Sequence, residues 1–419
     1  MAKYSKIQLQ VLSLYREFLQ VSEGRPGLKE FVRSEFKKNA MIPRTDSLHI
    51  EAIYRRGQRQ LELLKKKEVN SIGMLTQAVK TVTSLAKIET GSVFSRIFSM
   101  FPDGIQMAFA YGSGVFQQQG QDMSKNMLDL ILVVDDPILW HKKNLNQNRK
   151  HYSIVKYFGP RNISTLQNSC GGIYFNTLIP FEERLIKYGV ISTNRLVVDL
   201  LDWDALYVSG RLHKPVQLII DPTSQELMKA MAINLQNALH ASLLMLPELF
   251  TEEQLFLKIT SLSYNGDFRM TIGEDKNKIQ NIVTPNIERF RHLYEHFLES
   301  EEHVFWNKSK GILEQYPNHV AQFHHLNLLP KEVLKNLVKL KYHYLTNIPD
   351  TEEVIRLLAH DSHCKEFVER SIANIVYRTS MTQTLKTAFT AGLAKSVRYS
   401  WAKFKKMMKS TRKGTEKIN

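Results

Sequence analysis

Only two cysteines, Cys170 and Cys364, stand in the 419 residues. That is too few for a disulfide framework or, by themselves, a four-ligand metal site, and such usage fits a reducing interior. Long apolar runs are missing as well. The longest clean stretches, such as "LILVV" at 130–134, fall far short of the roughly 20 residues that span a bilayer. No secretory hydrophobic region opens the chain; "MAKYSKIQLQVLSLYR" instead carries no acid before Glu17, a bias that suits matrix targeting. Zinc-finger spacing and a basic, aromatic-rich sheet signature are also wanting, so nucleic acid is not the expected partner.

What is present is an ordinary globular composition, 43% hydrophobic and 23% charged, with a net charge of +16. The charge is unevenly placed. Residues 1–74 carry a net +7 and residues 381–419 a net +9, leaving the stretch between them neutral. Basic ends of this kind meet anionic lipid, nucleic acid or an acidic protein.

Residues 1–74 read as three short helices. Ile7, Val11, Leu14, Tyr15, Phe18 and Leu19 recur at helical spacing and form one apolar face. "SEGRPG" and "IPRTD" break the pattern, with Asp46 or Ser47 capping the third helix. Leu14-Tyr15-Arg16 near the start of a small basic unit resembles the mitochondrial LYR-motif family. "LSLYREFL", "PRTD" and "YRRGQRQLELL" are similar to its succinate dehydrogenase assembly factors. The resemblance implies iron–sulfur delivery to an enzyme subunit, or contact with acyl carrier protein, through residues 1–74.

After a junction at 75–92, strands and helices alternate. "IQMAFAYG", "MLDLILVVDD", part of "GVISTNRLVVDLLDW" and "PVQLII" read as strands, which predicts a mixed α/β sheet over 93–222. Residues 223–380 read as mostly helical, interrupted by the polar segment "NGDFRMTIGEDKNKIQNIV". The first strand ends at Gly112-Ser113-Gly114, where bare backbone amides and a hydroxyl form either a plain turn or a phosphate seat. Asp129 opens the second strand. Asp199 lies late in the apolar run "RLVVDLL", where a carboxylate on a buried strand needs a partner or a cation. Asp135 points to the same face as Asp129 but about 20 Å further along the strand. Asp135 and Asp136 therefore read as strand-end caps.

A Gly-Ser turn followed by strand carboxylates resembles nucleotidyltransferases of the polymerase-β type, in which magnesium bound by such acids assists attack on a nucleotide. The usual acid–apolar–acid pattern is broken here, since Leu130 and Ile131 follow Asp129. The set "AYGSGVFQQ", "MLDLILVVDDPILWHKKN", "HYS", "LIKYGVIST", "LYVSGRLHKPV" and "LSYNGDFRM…GEDKNK" is more specific. It resembles the mitochondrial phosphatidate cytidylyltransferase family from about Phe94 to beyond Ala391. That resemblance implies a nucleotidyltransferase domain joined to a winged-helix-like domain. It implies CTP and phosphatidic acid as substrates, Mg2+ as cofactor, and work on the matrix side of the mitochondrial inner membrane for cardiolipin synthesis. Residue by residue, Gly112 and Ser113 would seat the CTP phosphates, Asp129 and Asp199 would hold magnesium, and Lys187 would pair with a phosphate. Asp267, Arg269 and Lys276 would close the site from the second domain.

The tail at 381–419 supplies a route to the lipid. Leu385, Phe389, Leu393, Val397, Trp401, Phe404 and Met408 fall on one stripe of roughly 160°. Lys395, Arg398, Lys405, Lys406 and Lys409 lie opposite, while Lys386 and Lys403 fit less well. A basic amphipathic helix of this kind, over 385–409, rests in a membrane interface carrying anionic lipid. The alternative is a non-catalytic assembly factor with a degenerate transferase body, favoured only by the missing second strand acid.

Overall fold

The strands that carry the candidate site are apolar on both sides because both faces of their sheet are covered. In the computed structural model, which describes residues 6–22, single positions between 29 and 61, and 91–116, 126–272, 277–316, 318–342 and 350–391, the chain divides into two units. These are Met1–Thr76 and Gln77–Asn419.

In the first unit, helix α1 (Lys6–Val21) buries Leu14 and Phe18 with Val32 and Leu61. Tyr15 packs its ring 4.7 Å from that of Phe36. The other two expected helices fall largely outside the described residues, as does most of the 75–92 junction.

The second unit opens with α2 (Gly91–Ser99). Its sheet contains β1 (Ile105–Tyr111), β2 (Leu128–Val134), β3 (Ile173–Phe181), β4 (Arg184–Ser192) and β5 (Gln217–Ile220). They stand in the order β3-β4-β2-β1-β5. The β2–β4 step is parallel and the other three are antiparallel, a mixed α/β architecture. One face sets Ala108, Leu130, Leu132 and Val190 against Ile97 of α2, Phe101 just after it and Trp140 of α3 (Pro137–Gln147). The other sets Met107, Phe109, Ile131 and Val133 against Leu196, Leu200 and Leu227, from α5 (Thr193–Asp202) and α7 (Gln225–Leu243). Between these lie α4 (Gly159–Asn168) and the short α6 (Ser209–Leu212).

Two sequence expectations need correction here. "RLVVDLL" is helix rather than strand: Ser192 caps it by accepting from Arg195 N. Leu196, Val197 and Leu200 face inward while Val198 is exposed, a helical rather than an alternating pattern. The edge strand β3 was not anticipated.

The rest is mainly helical. After α7 come β6 (Leu249–Thr251), α8 (Glu252–Ser261), α9 (Arg269–Ile272), α10 (Lys278–Val283), α11 (Ile287–Glu299), β7 (Val304–Asn307) and β8 (Ile312–Gln315). Then follow α12 (His319–Asn327), α13 (Lys331–Lys341), α14 (Thr351–Ala359) and α15 (Cys364–Ala391). The three short strands form a second sheet, β6-β8-β7. The polar segment expected to interrupt the helices carries α9 and α10. No helix among the described residues is long and apolar enough to cross a membrane.

Helix α15 runs unbroken through residue 381, where the tail was expected to begin. Its last turns dock on the protein. Gln383 accepts from Gly171 N at 3.3 Å and donates to Ile173 O at 3.3 Å. Lys386, which fitted the amphipathic pattern poorly, is buried and donates to the carbonyls of Gln167 and Ser169. Burial pushes its ammonium down to about 8. Leu385 is 68% exposed, and residues 392–419 lie outside the described part.

Candidate active site

Strand register builds the centre of the site. Tyr111 at the end of β1 pairs with Asp129 near the start of β2, and Asp129 pairs with Lys187 near the start of β4. Side chains of directly paired residues lie on the same face, so an aromatic, a carboxylate and an ammonium stand in a row across three strands. Lys187 Nζ donates to Asp129 Oδ1 at 3.0 Å, with both side chains mostly buried. The ammonium also lies 4.5 Å from the centre of the Phe175 ring on β3. Phe175 pairs with Gly189, where an added Cβ would stand 2.6 Å from Phe175 Cε1 and 2.5 Å from Ile173 Cδ1. Only glycine leaves room for the ring beneath the lysine.

The turn after β1 sits over this row. Gly112 is left-handed at φ 81°, and its carbonyl accepts from the amides of Val115 and Phe116. A Cβ on Gly112 would lie 3.6 Å from Asp129 Oδ2, so the Gly112-Ser113 backbone and that carboxylate adjoin. Asn126 Nδ2 ties the turn down by donating to Ser113 O. Residues 117–125, beyond it, lie outside the described residues.

Cations close the site from the other side. The Arg211 guanidinium lies 4.0 Å from the Tyr207 ring centre and 5.2 Å from that of Tyr111, and donates to Tyr207 O. The side chain is half-buried, and its buried Nε has no hydrogen-bond partner, which leaves a donor free for a ligand. Burial raises the Tyr207 hydroxyl, but Arg211, Arg269 and Lys187 outweigh it and hold the group down to about 8. Lys214, one turn after Arg211, donates to Gly210 O and to Ser263 Oγ. Burial, with Arg211 and Lys278 nearby, holds its ammonium well below the ordinary lysine range. Lys214 and Lys278 each stand 5.2 Å from the Tyr264 ring. Crowding so many cations together lowers proton affinity and raises affinity for an anion.

Of the residues singled out from sequence, Gly112, Ser113, Asp129 and Lys187 come together. Asp267 accepts from Arg269 N, Nε and Nη2, so these two pair with each other. Arg269 still acts on Tyr207 and Arg211 and so borders the site. Lys276 lies outside the described residues. Asp135 accepts from Thr193 Oγ1 at 2.6 Å, and Asp136 caps α3 through the amides of Ile138 and Leu139. Both stand at the opposite end of β2.

Asp199 is placed differently from expectation. It is fully buried on α5 and accepts from the amides of Ala205, Val208 and Ser209 at 3.2, 2.9 and 2.9 Å. Burial and the neighbouring Asp204 raise its carboxyl, against the Ser209 amide. The carboxylate thus organises the loop leading to α6 and positions Arg211. Tyr111, Tyr207, Arg211, Lys214 and Lys278 were missed as site residues; the signal for Tyr207, Arg211 and Lys214 was the mixed aromatic and basic run "LYVSGRLHK", while Tyr111 adjoins the Gly-Ser turn and Lys278 ends "GEDKNK".

The donors present suit magnesium in one manner. Magnesium ions are often held by one or two carboxylates plus substrate phosphates. Asp129 offers one carboxylate, with Oδ2 turned to the Gly112 turn. Asp267 is engaged by Arg269 and Asp199 by the backbone, so the fit is to an ion shared with phosphate oxygens.

Comparison with known proteins agrees. Residues 94–406 match the family model described as "Phosphatidate cytidylyltransferase, mitochondrial", and residues 9–63 match that of the "Complex 1 protein (LYR family)". The chain is similar to the mitochondrial phosphatidate cytidylyltransferase of Danio rerio, 46% identical over 79% of this chain and 99% of the relative. For the enzyme of Xenopus laevis the values are 45%, 78% and 97%. For that of Caenorhabditis elegans they are 43%, 76% and 99%. The sheet and these matches define a nucleotidyltransferase with an LYR-family domain at its N-terminal end. More particularly, the chain belongs to the mitochondrial phosphatidate cytidylyltransferase family.

Proposed function

We propose that the protein transfers CMP from CTP to phosphatidic acid, giving CDP-diacylglycerol and pyrophosphate for mitochondrial cardiolipin synthesis. The observation that carries this is the Tyr111–Asp129–Lys187 row beside the Gly112-Ser113 turn, faced by Arg211, Lys214 and Arg269. We read the sheet as polymerase-β type, and the helical half with its small sheet as winged-helix-like.

Two polyanions must meet here, so charge neutralisation and positioning dominate. The Gly112-Ser113 amides and Lys187 bind and orient the CTP phosphates. Arg211 is held rigid between Tyr207 and Tyr111, and its unpartnered Nε donates to a phosphate oxygen; Arg269, steadied by Asp267, adds a second guanidinium. Asp129 would hold Mg2+, which when bound offsets the charge of the triphosphate. An anionic phosphatidate oxygen attacks the α-phosphorus in line, forming the new P–O bond as the bond to pyrophosphate breaks. No side chain need remove a proton, because a phosphate monoester is already ionised.

The enzyme works peripherally, on the matrix side of the inner membrane. The apolar stripe from Leu385 through Leu393, Val397, Trp401, Phe404 and Met408 rests on anionic lipid with its lysines alongside. Residues 1–74 contact acyl carrier protein or an iron–sulfur subunit.

The test is a reconstituted assay of the full chain with phosphatidate liposomes, labelled CTP and Mg2+. Lipid-soluble CDP-diacylglycerol that vanishes in Asp129→Asn is expected. No product from a folded protein that binds the liposomes would overturn the catalytic reading in favour of an assembly factor.

A further inference from the structure

A second cluster of ligating side chains lies in the helical half. His240 is on the last turn of α7, Glu301 follows the end of α11, and His324 and His325 are neighbours on α12. His240 Nδ1 is 3.0 Å from His325 Nδ1 and 3.6 Å from Glu301 Oε2, while His324 Nε2 is 3.8 Å from Glu301 Oε1. All four ligand atoms fall within 4.8 Å of one another. Zinc bonds to imidazole and carboxylate run at about 2.0–2.2 Å, so tetrahedral geometry sets neighbouring ligand atoms about 3.3–3.5 Å apart. Separations of 3.0, 3.6 and 3.8 Å lie close to that value, and the widest, up to 4.8 Å, close with small side-chain rotations.

Burial completes the site. His240 and His325 are buried, and the Glu301 side chain is 7% exposed. Only His324, at 38%, reaches towards solvent and offers a way in. Three imidazoles and a carboxylate form a borderline donor set suited to Zn2+ rather than to the harder Mg2+ or Ca2+. The ligands come from segments far apart in sequence, so a bound ion would cross-link α7, the chain after α11 and α12.

We infer that His240, Glu301, His324 and His325 form a closed, tetrahedral structural zinc site, separate from the nucleotide site. The ion binds all four ligands and keeps no open position for a substrate. It stabilises the helical half and takes no part in phosphoryl chemistry.

The experiment uses the full chain, purified with a histidine-free tag, stripped of metal and equilibrated in separate portions with Zn2+ or with Co2+. About one zinc per chain is expected by elemental analysis, together with the visible absorption of tetrahedral cobalt. Stripping the ion should lower the melting temperature by about 5 °C, since a ligand bound only to the native state stabilises it. Glu301→Gln, which keeps the side chain's size, and His325→Ala should each weaken Zn2+ binding by roughly 100-fold or more and abolish the cobalt bands. If His325→Ala fails to fold, His324→Gln, at the most exposed ligand, takes its place. His319→Ala, whose ring stacks on His360 at 4.6 Å outside the cluster, should bind as the parent does. A folded parent chain showing neither retained zinc nor the cobalt spectrum would overturn the assignment. So would undiminished binding in Glu301→Gln and a histidine variant.

Discussion

Lys187 donates to Asp129 at 3.0 Å across the parallel step between β4 and β2. In the proposed reaction, where Lys187 would meet a phosphate and Asp129 a magnesium ion, this ion pair would hold both side chains in place before either ligand arrives. Asp129→Asn and Lys187→Met should each lower kcat by about 10²–10³-fold, as removal of one preorganised electrostatic group does. The double variant should fall little further than the worse single one, because the pair acts as a unit. Steady-state kinetics with circular dichroism as the folding control checks this; fully additive losses would separate the two roles.

The three backbone amides that Asp199 accepts from predict a role in the fold rather than at the metal. Asp199→Asn turns an acceptor of three backbone amides partly into a donor, and should cost about 2–4 kcal/mol in unfolding free energy. The urea midpoint reads that loss. The magnesium concentration for half-maximal activity should stay where it is in the folded fraction. A tenfold rise in that requirement without loss of stability would return Asp199 to the metal.

The Tyr207 hydroxyl, held down to about 8 by Arg211, Arg269 and Lys187 against the effect of burial, gives the site a pH limit. Below that value the phenol is neutral and the guanidinium keeps its full attraction for phosphate. Above it a phenolate faces Arg211 and competes with the nucleotide. Hence kcat/KM for CTP should fall as pH rises through about 8, whereas bound phosphate should push the step in kcat higher. Tyr207→Phe should remove the step in kcat/KM, and a profile unchanged by that substitution would dismiss it.

Gly266, at φ 87°, passes so close to α15 that an added Cβ would collide with the Ala373 carbonyl. Gly266→Ala should destabilise by more than about 2 kcal/mol, since both the dihedral and the contact are unsuited to a side chain. The loop continues into Asp267 and Arg269, so KM for CTP should rise in the same variant. Thermal melts and kinetics at 20 °C below the midpoint would test the two effects separately.

Much of the site could be read from the chain and some could not, for particular reasons. Asp129 and the Gly112-Ser113 turn border strong apolar strand runs that the chain marks plainly, and the Lys187 position came through the motif "LIKYG" rather than a strand signal. Asp199 was misplaced because "RLVVDLL" is apolar enough to pass for a buried strand; the Ser192 cap that starts a helix there was the overlooked signal. Strand β3, "IYFNTLIPF", contains a proline and an asparagine and lies at the edge, which hid it. Arg211 and Lys214, three apart on a short helical turn, look like any solvated pair until tertiary packing buries them. The four residues around His240 are separated by up to 85 positions, and no local pattern joins them.

Helix α15 touches both the loop before Arg269, through Asn265 and Glu369, and the β3 edge of the main sheet, through Gln383 and Lys386. A segment made after the whole main sheet is therefore needed to cover its edge. A chain emerging N-terminus first, from a ribosome or through a translocation pore, presents the backbone at Gly171 and Ile173 without its closing helix until α15 has followed.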